Sequence, residues 1–270
     1  MKKILMFALI LLLAASVCFA GGSKEKKVIN GIADLEGLKI GVQTGTTGEA
    51  WVQDNVKGVK LNSFKSGIDA ALDLKNGAID CVVIDELPAQ AIVDKNPGLA
   101  IIRDPEFSSN KEEYAIAVKK GNKAVLDIVN ATIKELQTNG GYEKLVAAFM
   151  PADGKIVIPV IANDAKAGVI KLGTNAAFPP FEYVEGKDIA GFDISMGEYI
   201  AAKAGVKLDV VDMAFDSLIP ALQAGSIDFI AAGMSITEER KKNVDFSVPY
   251  YASEQVIIIR KECFNQYMTQ

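Results

Sequence analysis

Short apolar runs alternate with longer amphipathic stretches along most of the chain, a pattern that predicts strands and helices in alternation. Residues 38–42 (LKIGV) lead into the polar turn Gln43-Thr44-Gly45-Thr46-Thr47-Gly48. Val59-Lys60-Leu61 follows, then an amphipathic stretch ending Leu74-Lys75-Asn76-Gly77, then the apolar run 78–83. The same order returns later. Residues 169–173 open into Thr174-Asn175-Ala176-Ala177-Phe178, Val206-Lys207-Leu208 precedes a stretch ending Leu222-Gln223-Ala224-Gly225, and 226–230 closes the unit. Each copy reads as strand, helix, glycine stop, strand. Such units build mainly parallel sheets, so the expected fold class is α/β with two similar lobes. Ligands in these sheets sit beyond the carboxyl ends of strands, at the turn after the first strand of each copy.

Between the copies, 114–118 reads as a short strand, and 123–138 and 142–150 as helices broken by Asn139-Gly140-Gly141. A linker, 151–168, follows. Its apolar centre, 156–161, reads as a short edge strand, since Pro159 argues against a central one.

The first residues stand apart. Lys2 and Lys3 precede an apolar run, 4–15, and a small-residue end followed by Gly21-Gly22-Ser23, which reads as a secretory signal over 1–20. Two cleavage points fit: after Ala20, or before Cys18 as a lipid-bearing N-terminal cysteine. Cys81 lies in an apolar run and Cys263 in a terminal tail, with no metal-binding spacing.

Composition removes whole classes of function. The 270 residues include no histidine, which excludes Ser-His-Asp and Cys-His nucleophiles and histidine-based metal sites. With 29 basic against 34 acidic residues, net −5 and interspersed, no basic stripe is available to neutralise phosphates, so nucleic acid is not an expected partner.

Several residues at predicted strand ends suit ligand binding, each with a plain structural alternative. The turn 43–48 offers glycine amides, threonine hydroxyls and a helix start, or is an ordinary Gly/Thr turn. Asp85 ends an apolar strand and suits an ammonium, or caps the segment from Glu86. Arg240, in Gly233-Met234-Ser235-Ile236-Thr237-Glu238-Glu239-Arg240, can meet a carboxylate in bidentate fashion, or belongs to a solvated charged face with Lys241 and Lys242. Phe178, in Phe178-Pro179-Pro180-Phe181, and Phe215 can cover the aliphatic part of a ligand or pack in the core, the default for Phe181.

Taken together, 175–183 (NAAFPPFEY), Gly191-Phe192-Asp193-Ile194, 218–222 (LIPAL), 233–240 (GMSITEER) with 244–251 (VDFSVPYY), and 42–48 (VQTGTTG) resemble the periplasmic polar-amino-acid-binding proteins of ABC importers. The resemblance implies a type II periplasmic-binding fold, two α/β lobes closing on a free polar L-amino acid. It also implies delivery to the membrane permease of an ABC transporter, a periplasmic or cell-surface location, no cofactor and no chemistry on the ligand. Carried over by position, Arg240 clamps the α-carboxylate with Gly233, Ser235 and Thr46, with Thr47 in the same turn, and Asp85 accepts the α-ammonium. Phe178 and Phe215 line the side-chain slot, with Asn175 and Gln43 at its polar end. These two neutral amides favour a neutral polar ligand such as glutamine over a cationic one, which needs a carboxylate there. The rival readings are a dehydratase-like enzyme using Glu182 or Glu86 as general acid/base, and a surface lipoprotein outside transport.

In the family, the segment resembling 169–261 precedes the one resembling 32–150; here the order is reversed. That reads as a circular permutation, although a gene rearrangement gives the same order. The expected organisation is a smaller lobe at 32–114, a hinge strand at 115–118, a larger lobe at 119–261 that includes the linker, and an unmatched tail, 262–270. On this reading 114–118 is the one intact crossing between lobes, and 255–260 ends near the terminus without entering the first lobe.

Overall fold

A computed structural model describes residues 27–166 and 168–264. The signal at 1–20, Cys18 with it, and the end of the tail, 265–270, lie outside the described residues. The strands in chain order are β1 (Lys39–Gln43), β2 (Lys60–Phe64), β3 (Cys81–Asp85), β4 (Leu99–Ile102), β5 (Glu112–Tyr114), β6 (Ala117–Lys119), β7 (Val169–Thr174) and β8 (Ala177–Phe178). They continue with β9 (Glu182–Glu185), β10 (Asp188–Ala190), β11 (Lys207–Asp212), β12 (Phe229–Ile230), β13 (Val244–Phe246), β14 (Tyr251–Ser253) and β15 (Gln255–Arg260).

The repeated sequence pattern becomes a repeated topology. One five-stranded sheet has the order β2-β1-β3-β15-β4 and the other β11-β7-β12-β6-β13. In each, the first strand of a copy lies between two parallel partners, and the fourth strand is antiparallel. The helices before β3 and β12 stop where the sequence places Gly77 (φ 74°) and Gly225 (φ 77°), left-handed positions that glycine adopts without a Cβ clash. Helix starts are set by hydroxyls: Thr46 caps Thr47–Asn55 and Ser66 caps Gly67–Lys75, each accepting the amide of the third helical residue.

Two expectations are corrected. Gln255–Arg260, expected to stay out of the first lobe, runs between β3 and β4, antiparallel to both. Its residues Val256 to Ile259 are fully buried, an apolar content that only a central strand can shelter. The chain therefore crosses between the sheets twice, through β5 into β6 and through β14 into β15, and β5 and β14 pair side by side (Tyr114 opposite Tyr251). The second correction concerns 156–161, which forms no strand; Val160 is 98% exposed beside Pro159. Cys263 is buried, and its carbonyl accepts the Ile29 amide at 2.8 Å, so the beginning and end of the described chain meet.

Candidate functional site

The carboxyl ends of β1, β3, β7 and β12 face one another across the space between the two sheets. The ten residues expected to bind the ligand line a single cavity there: Gln43, Thr46, Thr47 and Asp85 from one side, Asn175, Phe178, Phe215, Gly233, Ser235 and Arg240 from the other. The side chains close in on one another and leave a small cavity of about 10 Å³. A larger but open hollow lies at the opposite, amino ends of β1 and β2, among Lys27, Lys39, Lys60 and Arg260, and holds none of these residues.

Arg240 is not part of a solvated face. Its guanidinium donates to the Ser235 carbonyl (2.7 Å) and to the Gly45 carbonyl (2.9 Å), and it stands 5.3 Å over the Phe215 ring. Burial pulls its pKa down from the ordinary arginine value, opposed by the charges of Glu112 and Asp85.

Asp85 occupies the N-cap position of the helix Glu86–Asp94 but makes no side-chain cap. Its carboxylate instead accepts the Tyr114 hydroxyl. Burial first, and then the charge of Glu112, push its pKa up to about 6, against the hydrogen bond from Tyr114. Glu86, the other acid/base alternative, lies outside the cavity and pairs with Arg103 at 2.6 Å.

Gly233 shows why a glycine stands in the second turn. Its φ is 52°, and a Cβ there would come within 2.7 Å of the Phe178 ring. Its amide is already given to Asp193 Oδ2 (2.8 Å), which also accepts the Tyr250 hydroxyl (2.7 Å), so what Gly233 offers a ligand is its carbonyl. The Thr46 hydroxyl is likewise engaged, donating to the Gln43 carbonyl (2.7 Å) and capping the helix. Gln43 Nε2 donates to Asn175 Oδ1 at 2.9 Å across the cavity. Phe181, beneath Phe178, is fully buried edge-on to Tyr114 (5.2 Å) and Tyr251 (5.0 Å).

Two lining residues, Ala232 and Glu182, lie outside the expected ligand-binding set, Glu182 being named only as the acid/base of the rival enzyme reading. Glu182 is fully buried and lines the cavity, and its carboxyl group faces that of Asp193, to which it is hydrogen-bonded when protonated. It stands opposite Phe178 in the antiparallel pair of β8 and β9, which puts both side chains on one face. Burial, then the charge of Asp193, push its pKa well above the usual carboxyl range; Asp193 is itself pushed up to about 6 by burial. A cross-strand reading of the FPPFE turn is the signal that finds it. A carboxyl group, favoured in its neutral form by burial and by the charge of Asp193, is thus present at the cavity wall.

Residues 170–265 match the family described as bacterial extracellular solute-binding proteins, family 3. The arginine-binding extracellular protein ArtP of Bacillus subtilis (strain 168) is 46% identical over 91 residues, 34% of this chain and 36% of that protein. The L-cystine-binding protein TcyJ of Escherichia coli (strain K12) is 34% identical over 120 residues, 44% of each. Among solved structures, an ancestral arginine-binding protein bound to glutamine is 52% identical over 32% of this chain and 38% of that one, with a TM-score of 0.31. The chain thus spans less than half the length of these relatives. Over residues 170–265, its sequence is similar to that of the bacterial extracellular solute-binding proteins, family 3.

Proposed function

We propose that this chain is an extracytoplasmic receptor that captures a free amino acid with a cationic side chain, arginine above all, and presents it unchanged to the permease of an ABC transporter. The observation that carries the reading is that Arg240, Asp85 and Glu182 line one cavity between the two sheets. Arg240 takes the α-carboxylate with the Ser235 hydroxyl. Asp85 and the Gly233 carbonyl take the α-ammonium. The aliphatic stem lies between Phe178 and Phe215, and Glu182 receives the cationic end. A zwitterion with a third charge is expensive to desolvate unless every charge finds a partner, and here each does. Charge-assisted hydrogen bonds contribute roughly 1.5–3 kcal/mol each, so three such ends reach micromolar binding, about −8 kcal/mol.

The relatives named for arginine and cystine support an amino-acid ligand, and Glu182 favours the cationic choice over the neutral one that Asn175 and Gln43 alone suggest. Titration calorimetry with L-arginine tests the reading, with recovery of intact arginine from the denatured complex separating a receptor from a dehydratase that uses Glu182. Absence of binding, or turnover of the amino acid, contradicts it.

A further inference from the structure

The carboxylate of Glu112, in β5, is the most heavily engaged polar group beside the cavity, and nothing in the reading above uses it. Its Oε2 accepts the Thr47 hydroxyl at 2.6 Å and the Ser235 hydroxyl, and its Oε1 accepts Gln255 Nε2 at 3.2 Å. Thr47 and Ser235 both line the cavity. They also belong to opposite sides of it. Thr47 opens the helix after β1, and Gln255 begins β15, both in the first sheet's half. Ser235 follows β12 and is tied to the hinge strand by its bridge to Tyr114 and by the Ile236 amide, which donates to the Glu113 carbonyl at 2.9 Å. One side chain therefore clasps the two halves together through hydroxyls that face the ligand space. Its charge reaches both Asp85 and Arg240.

We propose that Glu112 is a built-in competitor for the ligand's α-carboxylate: it holds the Thr47 and Ser235 hydroxyls in the ligand-free cleft, keeps the halves together there, and is displaced when an amino acid enters. This rests on the cavity being the amino-acid site proposed above. The physical ground is that a hydroxyl hydrogen satisfies one acceptor at a time, and that two carboxylates sharing the same donors beside Asp85 repel each other. An interaction made only in the ligand-free state weakens the observed affinity by its own equilibrium factor, so its removal tightens binding.

The test compares the full chain with Glu112→Ala and Glu112→Gln, by calorimetry with L-arginine and by small-angle scattering without ligand. Glu112→Ala is expected to bind arginine about fivefold or more tightly than the unaltered chain and to be more open when ligand-free, while the saturated forms scatter alike. Glu112→Gln keeps the shape and weakens the clasp, so it is expected to fall between the two; it carries the test if the alanine variant does not fold. Equal affinity overturns the proposal, and weaker affinity overturns it by making Glu112 a direct contact of the ligand ammonium. If the unaltered chain binds no amino acid, the binding reading fails on its own, and the ligand-free scattering still decides the clasp: an unchanged radius of gyration in Glu112→Ala overturns it.

Discussion

Gln43 and Asn175 meet across the cleft, the Gln43 side-chain amide donating to the Asn175 side-chain carbonyl at 2.9 Å. Both amides have further protein partners, Gln43 on the Lys65 carbonyl at 3.3 Å and Asn175 on the Met213 carbonyl at 2.8 Å. They join the end of β1 to the turn after β7 and so act in closure more than in choosing a side chain. Gln43→Ala and Asn175→Ala are expected to weaken arginine and glutamine alike, by about three- to tenfold, as a neutral hydrogen bond across the cleft is removed. A change in preference between the two ligands in calorimetry contradicts this.

Arg240→Ala and Asp85→Ala are each expected to cost about tenfold or more in arginine affinity, because each leaves one charged end of the ligand without a partner in a poorly hydrated space. Phe178→Ala removes packing alone and is expected to cost less than either. Unchanged affinity in both charge variants refutes the site.

The buried carboxyls set a pH dependence. Asp85 and Asp193 are both raised from 3.8 to about 6, by burial first. Between those values the folded protein holds protons that the unfolded chain has released, so ligand-free stability falls as pH rises through the window and stays lower above it. The two-unit rise corresponds to at most about 3 kcal/mol per carboxyl. Thermal melts are expected to show the ligand-free protein gaining less from a move from about pH 5 to pH 7.5 than Asp193→Asn does. Arginine affinity runs the other way. The two cationic ends need ionised Asp85 and ionised Glu182, both of raised pKa, so binding at about pH 5 is expected to be weaker than at pH 7.5 by roughly tenfold or more. A flat affinity profile across that range rules out an ionised Asp85 as the partner.

Because β15 enters the first sheet and the Ile29 amide reaches the Cys263 carbonyl, reordering the segments leaves both crossings in place. A chain that puts residues 169–264 ahead of 27–150 is expected to bind within about threefold of the natural order, with the same compaction on ligand addition by small-angle scattering, since a break at adjoining surface ends is commonly tolerated. A larger loss would mean that the 151–168 connection has a mechanical role.

What was legible in the sequence is local. Glycines and hydroxyls at strand ends mark the 43–48 and 233–240 turns, and a carboxylate closing a wholly apolar run marks Asp85, since these features depend on a few consecutive residues. Long-range pairing was not legible. The path of Gln255–Arg260 is decided by β3 and β4, more than 150 residues earlier in the chain. Glu182 is named from the sequence only as the acid/base of the rival enzyme reading, and its place at the cavity wall follows from its register against Phe178. Glu112, in Glu-Glu-Tyr, has the look of a solvated hinge, yet its partners come from both halves of the molecule. The linker misled in the opposite way: an apolar run at 156–161 suggests a strand, but Pro159 lacks the donor a ladder needs and no edge accepts the segment.

The central claim is that a cationic side chain is read by Glu182. The most direct measurement is calorimetry of L-arginine and L-glutamine on the unaltered chain and on Glu182→Gln. The account predicts that arginine binds the unaltered chain more tightly than glutamine does, and that the substitution weakens arginine by about tenfold or more while leaving glutamine within about threefold. Equal losses for both ligands, or an arginine affinity unmoved by the substitution, would contradict it.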